Sequence, residues 1–560
     1  MMELLIIALA ALATILRVMF LILLSIVSGW GLAYLCIYSQ KIESLLVPLV
    51  SVLESIPVIG FLPIVLIICV QGIGGCLGVE LAVGFLVFVA VAGNIWMGIY
   101  QAFKTVPGNL LEVSENYDIG IIGKFRDLYI PYSYPRITAN MFSSFVNAFF
   151  YVTVSEVFTV GLNTYHTFGV GTLISSFIMH GDLINLGFSL LFIGVAVVLI
   201  TLWFHSLSET AVANYGADTQ TPIKRHTSLD RLLMKGRLDR QHGAVNREPE
   251  PVQSISVLAI VPILAPNGIQ ASVIDGRAKR EKGKGPFVSI VLKNAKYVAS
   301  FLVFIILAYL ALAAYHIITS VPAGKWGYFL SITPYLLYSM WVDYLRVGLI
   351  TLASFVLAIS VGYIMATNKR MSKMIAPLIQ FVAAFPAPAY FPLIFIATIP
   401  LLKNTLPFFY VEVYIFVLGF LSCFYYLFFN FWMGVQAIPS ECWDVMRNYN
   451  LGFFERMRYV VLPATFAYLI TGLSSTINNA WAGIALGEYW PKIYNGQTLE
   501  AGTGMMKYLT QNIAQGHVDN AAWVSLIFVA VVIAYATLFT RKLMDEARKK
   551  YVIEEGIFHA

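Results

Sequence analysis

Apolar residues run through this chain in long unbroken blocks, with little of the strict alternation that marks a half-buried strand. A bilayer core of ~30 Å takes about 20 apolar residues as helix, and in lipid only helices or closed barrels satisfy the backbone. Barrel strands would show short alternating segments instead. Blocks of sufficient length lie near 18–38, 44–70, 79–101, 139–160, 184–204, 298–318, 345–366, 375–401, 407–433, 464–487 and 521–540, which predicts about eleven spans. Residues 3–38 as a single helix would measure about 54 Å. Arg17 is therefore read as a break, with 1–16 an interfacial helix or extension.

Composition agrees: 59% of the 560 residues are hydrophobic and 12% charged, against about 25% charged in soluble proteins. That balance leaves little room for a soluble enzyme or a nucleic-acid binder. Basic residues set sidedness. The 206–297 segment holds 14 Lys and Arg against 8 Asp and Glu, whereas 319–342 holds only Lys325. The basic segments go to the cytoplasm, which places the N-terminus outside. No Lys or Arg precedes the first apolar run, so the basic n-region of a cleaved signal peptide is missing. The five cysteines form no CxxC pair and no metal spacing, and they receive no role.

The chain also repeats itself. Arg17, Ser25, Tyr34, Pro48, Pro57 and Pro63 reappear 329 residues later as Arg346, Ser354, Tyr363, Pro377, Pro386 and Pro392. At an offset of 332, Pro107, Asn116, Gly120, Pro131, Asn147 and Glu156 match Pro439, Asn448, Gly452, Pro463, Asn479 and Glu488. Residues 1–205 form a first repeat of five spans, 206–297 a basic cytoplasmic linker, 298–541 a second repeat of six, and 542–560 a tail. Five spans plus the additional one at 298–318 is an even number, so the repeats enter the membrane from the same side. The expected fold is an all-α integral membrane protein of two parallel, pseudo-symmetric repeats around a central path.

Each repeat carries one amphipathic cytoplasmic stretch, beginning at Val106 and at Ile438. Pro107 and Pro439 suit a first helical turn, and Glu112 and Asp444 are read as lying early in the helix, where its dipole favours a carboxylate. Asp118 and Asn450 tolerate the left-handed conformation that ends a helix. Gly120 and Gly452 are expected to permit a sharp turn, and Pro131 and Pro463 to begin the return into the membrane. The expected helix has about eleven residues, roughly 16 Å. These stretches resemble the "EAA" loop of ABC-importer permeases, with the acid and the closing proline 19 residues apart in both repeats. Val113-Ser114 and Val445-Met446 replace the small alanines, and Asp118 and Asn450 stand at the motif glycine. The proline-rich runs from Glu54 and Ala384 are similar to the third span of the nitrate/sulfonate/taurine branch. So are Glu156 before Gly169-Val170-Gly171 and Glu488 before Gly502-Thr503-Gly504.

The resemblance covers 16–204 and 345–541 and implies a fused pair of permease half-subunits in the prokaryotic plasma membrane. It implies two ATP-binding cassette subunits docked on the loops, an extracellular solute-binding protein, and a small oxyanion or sulfonate as solute. This chain has no phosphate loop of the G-x-x-x-x-G-K-[ST] kind, so ATP and Mg belong to the partner subunits, and no cofactor or metal is assigned here. Glu156 and Glu488 either line an external gate or accept backbone hydrogen bonds from the following loop. Asn147 and Asn479 either bridge helices or line the path. Glu54, whose repeat counterpart is Ala383, would cost about 2.5–3.5 kcal/mol mid-membrane on insertion scales. It faces a wet cavity or a partner, or else hydrates near the cytoplasmic third. Arg17 and Arg346 are read as snorkelling to the interface, with attraction of an anion the other reading. The rival classes are an ion-coupled secondary transporter, for which Glu54 is the one coupling carboxylate, and a membrane-embedded enzyme, for which no HExxH, GxSxG or paired aspartates appear.

Overall fold

The computed structural model describes residues 2–215 and 321–535, apart from 161–162, 437 and 495, together with the isolated positions 538 and 542. The expected span at 298–318, most of the linker and nearly all of the tail lie outside the described residues. What is described is α-helical and multi-spanning, in two helix-rich halves. Among these residues seven helices are long and apolar enough to cross a membrane, or nine if each of two bent pairs is one span.

In the first half, α1 (Met2–Tyr38) and α2 (Gln40–Ser55) lead to a turn at Val58–Phe61 and helical pieces at Leu62–Val65 and Leu66–Ile73. Then follow α3 (Gly75–Lys104), the short α4 (Gly108–Asn116) and α5 (Ile130–Ser155). A hairpin pairs β1 (Val157–Val160) with β2 (Asn163–His166), and α6 (Val170–His180) and α7 (Leu183–Tyr215) complete the half. The second half runs in a similar order. It comprises α8 (Ala323–Thr367), α9 (Lys369–Ala384), α10 (Ala387–Thr405), α11 (Tyr410–Gln436), α12 (Ser440–Asn448) and α13 (Phe466–Glu488). The hairpin of β3 (Tyr489–Tyr494) and β4 (Gln497–Glu500) then precedes α14 (Met505–Ala514) and α15 (Val518–Tyr535).

Three expectations change. Arg17 is not a break: α1 is continuous through it, so residues 2–16 extend the first span and do not form a separate interfacial helix. Nothing breaks the helix there, since the Arg17 charge is compensated within the protein. The spans expected at 44–70 and 375–401 are broken, at Ile56-Pro57 and Phe385-Pro386. A proline lacks the N–H that would continue the ladder and biases the residue before it away from helical geometry. Finally, the glycine-rich loops that follow Glu156 and Glu488 contain β-hairpins, so short antiparallel pairs join the helical fold.

Helices meet closely where side chains are small. On the most extensive helix pair, α11 with α13, a Cβ on Gly483 would sit 2.6 Å from the Gly419 Cα, and one on Gly487 would sit 2.9 Å from the Ile415 Cα. Van der Waals contact between nearby backbones is what remains to drive association when lipid is as apolar as the helix. The halves interlock: α9 packs on α5 and α7, while the Val58–Val65 stretch packs on α15. Phe142 and Phe429 meet edge to face across the junction, centroids 6.1 Å apart.

Candidate functional site

Three places hold the residues singled out by the sequence. The first is the pair of short helices α4 and α12. Each has nine residues, somewhat shorter than expected, and Glu112 and Asp444 are each the fifth. The reading of these acids as first-turn charges is thereby corrected; both point outward and are exposed. Asp444 pairs with Arg447 at 2.8 Å, both exposed, a contact worth little on a surface.

Asp118 and Asn450 both have φ +48°, and they are the only non-glycine residues with positive φ among those described. Ile119 N–H donates to the Ser114 carbonyl at 3.0 Å, and Leu451 N–H to Met446 at 3.1 Å, so both helices end in the same six-to-one closure. The side-chain amide or carboxyl at these positions replaces glycine in the left-handed turn. Gly120 and Gly452 do not make that turn: their carbonyls accept from Lys124 N–H and Arg456 N–H and so start the next helix. Pro131 and Pro463 likewise fall inside helix already under way. Each stands two residues past the end of a π-helical turn, Lys124–Tyr129 and Met457–Val461, which widens the backbone where a ring and a missing N–H interrupt the ladder. Beside each helix end stands an exposed tyrosine, Tyr117 or Tyr449. Asp118→Val or Asn450→Val should cost about 1–2 kcal/mol because a branched Cβ resists positive φ. Glycine at either position should be tolerated. Thermal unfolding of the four variants in detergent checks this.

The second place lies at the opposite end of α5 and α13, beside the hairpins. Arg17 reaches Glu156 at 2.6 Å and Glu80 at 2.8 Å, with its side chain 13% exposed. Thr14 Oγ1 donates to Glu156 Oε1 at 2.6 Å, and Gly171 N–H donates to Oε2 at 2.6 Å. In the second half Arg346 reaches Glu488 at 2.7 Å, Glu412 at 2.8 Å and Asp343 at 3.1 Å, and donates to the Thr503 carbonyl at 2.9 Å. Lys507 N–H donates to Glu488 Oε2 at 2.7 Å, and Met505 N–H to Asp343 Oδ2 at 2.8 Å. Glu156, Asp343 and Glu488 are fully buried.

These contacts correct two readings. The arginines do not snorkel, because buried carboxylates hold them; and of the two readings left open for Glu156 and Glu488, the contacts are those of the backbone acceptor and not of a gate-lining group. They accept hydrogen bonds from the first turns of α6 and α14, where the helix dipole favours an anion. Sequence reasoning missed Glu80, Glu412, Thr14 and Asp343. The first two were within reach, since they match at the same 332-residue offset.

The third place is a cavity of about 400 Å³ between the halves, lined by both. Glu54, Asn147 and Asn479 are on its wall. Glu54 is the penultimate residue of α2, just before the proline break, and its side chain is accessible from the cavity. Asn147 Nδ2 donates to the Ala90 carbonyl at 2.5 Å and Asn479 Nδ2 to Ser475 at 3.0 Å. The bridging and path-lining readings therefore coexist for Asn147, whereas the Asn479 bond stays within its own helix. Asn94, Asn140 and Asn478 also line the wall and were not foreseen. Among the described residues no group of three or more His, Cys, Asp or Glu is placed to hold a metal ion.

A multi-spanning helical protein with paired short helices at one end and a polar cavity between two halves has the architecture of a solute path. Comparison with known proteins agrees. Residues 354–550 match the family described as "Binding-protein-dependent transport system inner membrane component". A bicarbonate transport system permease protein of Synechococcus elongatus, CmpB, is 29% identical over 133 residues, 24% of this chain and 44% of that protein. A nitrate import permease protein of Leptolyngbya laminosa, NrtB, is 27% identical over 143 residues, 26% of this chain and 48% of that protein. The chain is thus related to ABC-importer-type permeases for bicarbonate and nitrate, and its match spans less than half the length of these relatives.

Proposed function

We propose that this chain is the membrane-spanning permease of an ATP-driven importer, forming the path for a small solute of the oxyanion class: bicarbonate, nitrate, sulfonate or taurine. It has the transport role, and hydrolysis of ATP falls to two separate ATP-binding subunits docked on α4 and α12. A solute-binding protein delivers cargo at the outer face of a prokaryotic plasma membrane. In this reading residues 1–205 and 298–541 are parallel repeats with eleven spans between them, 206–297 is a cytoplasmic linker and 542–560 a cytoplasmic tail. The observation that carries the proposal is the pairing of α4 with α12. Two nine-residue helices at matching positions end in the same left-handed conformation, at Asp118 and Asn450, each with an exposed acid and an exposed tyrosine.

A rigid short helix fixed at both ends is a lever. Closure of the ATPase pair on ATP pushes both levers together and moves the attached bent helices between two packings, inward- and outward-facing. The bends support this: the segments flanking 139 differ in direction by 60°, and those flanking 465–467 by 79°. The ion-coupled alternative draws on Glu54 at a helix break, but leaves the paired levers without a use.

Glu112→Lys and Asp444→Lys test the docking role. Each is exposed, so folding should change by no more than about 0.5 kcal/mol. Solute uptake per ATP hydrolysed should fall at least tenfold in membranes containing the assembled transporter. Uptake equal to wild type in both variants would refute the role, and uptake that survives ATP depletion would favour ion coupling.

A further inference from the structure

The cavity between the halves has a definite electrical character. Among the described residues lining it, Glu54 is the one charged residue, with no Lys, Arg or His. Among the described residues, no side chain or N–H pairs with the Glu54 carboxylate; its backbone carbonyl, by contrast, accepts from Asn478 Nδ2 at 3.3 Å. Four amides of the same wall are turned alike. Asn147, Asn478, Asn479 and Asn430 each spend Nδ2 on a backbone carbonyl, a partner that only the nitrogen can satisfy. None of their Oδ1 atoms receives a donor from the described residues. The wall thus offers a carboxylate and a set of acceptor oxygens, with buried donors that have no partner among the described residues, Thr201 Oγ1 and Trp432 Nε1 among them, on the same wall; the carboxylate without a counter-charge is what a plain anion would avoid.

Glu54 is also held in place. Gly93 on α3 lies against its stem, where a Cβ would come 3.1 Å from the Glu54 Cβ. The repeat counterpart, Ala383, is buried and apolar, so one carboxylate serves the whole cavity. An acid left without a partner on the wall of a cavity between packed helices points to a binding role.

We propose that this cavity is a site for a solute bearing a protonated nitrogen, an ammonium or amidinium, with Glu54 as its counter-charge. The inference rests on the permease reading and narrows its solute class, from oxyanions at large to those that carry a cationic nitrogen beside the oxyanion. One molecule binds per chain. The nitrogen sits on Glu54 and the neighbouring amide oxygens, and the oxyanion end points away from them.

Three probes of similar size separate the terms: ethylammonium, 2-aminoethanesulfonate and ethanesulfonate. Titration of the full chain in lipid nanodiscs by saturation-transfer NMR gives their affinities. Both nitrogen-bearing probes should bind at least tenfold more tightly than ethanesulfonate. Glu54→Gln, which keeps the shape and removes the charge, should abolish that difference, and Glu54→Asp should retain it. Ethanesulfonate binding as tightly as the other two would overturn the proposal. So would a preference that persists in Glu54→Gln, or no binding of any probe to the wild type. Failure of the permease reading shows elsewhere, as an absence of ATP-driven uptake of any solute by the assembled transporter, and leaves the probe affinities intact.

Discussion

Arg346→Met is expected to cost about 3–5 kcal/mol, the range for removing one partner of a buried ion pair. The guanidinium lies 2.7 Å from Glu488 and 3.1 Å from Asp343, and both of those side chains are fully buried. Methionine fills a similar volume, so the loss isolates charge and hydrogen bonding from packing. Two carboxyls would then share one low-dielectric space with only helix N-terminal N–H groups for compensation. Arg17→Met should cost less, because there a single buried carboxylate, Glu156, is left, and Thr14 Oγ1 still donates to it. Arg346→Lys should fall between, since an ammonium is a point charge and cannot fork across Glu412, Asp343 and Glu488 together. Adding Glu488→Gln to Arg346→Met should recover part of the loss by removing the orphaned charge. The apparent midpoint of thermal unfolding in detergent, with the yield of folded protein, orders these variants. An Arg346→Met protein that melts with wild type would show the cluster to be dispensable.

The contrast between Arg17 and its sequence reading shows what local pattern can and cannot tell. Apolar blocks, their prolines and the two repeat offsets are local or periodic signals, and they placed the helices and the paired short helices. The left-handed Asp118 and Asn450 were legible for the same reason: a short polar side chain six residues after an acid, ahead of a glycine, is local chemistry. The fate of Arg17 depends on Glu80 and Glu156, 63 and 139 residues further on. A length argument therefore cut α1 at a charge that tertiary contacts neutralise. Glu156 and Glu488 were open to two readings because a glutamate at a span end has the same sequence context whether it faces a gate or a buried helix N-terminus. Only the fold decides, by putting α6 and α14 directly over the carboxylates. The cavity is further still from sequence. Its character comes from which way each asparagine amide turns, and that is set by backbone carbonyls such as Ala90 on α3 and Glu54 on α2.

Gly504→Ala is the second large expected effect, and Gly502→Ala is its control. Sequence alignment of the repeats pairs Gly169-Val170-Gly171 with Gly502-Thr503-Gly504, but the structure shifts the match so that Gly504 stands where Gly169 does. Gly169 and Gly504 each precede the first residue of a helix, α6 and α14, with extended backbone that any residue adopts. Their requirement for glycine is therefore steric contact alone. A Cβ on Gly169 would lie 2.1 Å from Glu156 Oε1, and one on Gly504 would lie 2.1 Å from Glu488 Oε2. Neither oxygen can move freely, because Arg17 and Arg346 hold the two carboxylates from the other side. One added methyl must push the carboxylate off its arginine or lift the helix off the carboxylate. Overpacking of that kind costs about 1–3 kcal/mol, and losing part of a buried ion pair adds to it. At Gly502 a Cβ would meet nothing within 4 Å, so alanine there should stay within about 0.5 kcal/mol of wild type. Gly169→Ala should follow Gly504→Ala. Unfolding midpoints of the three variants decide the matter: equal, small shifts at Gly502 and Gly504 would mean that the carboxylate and the helix N-terminus are not in the contact described.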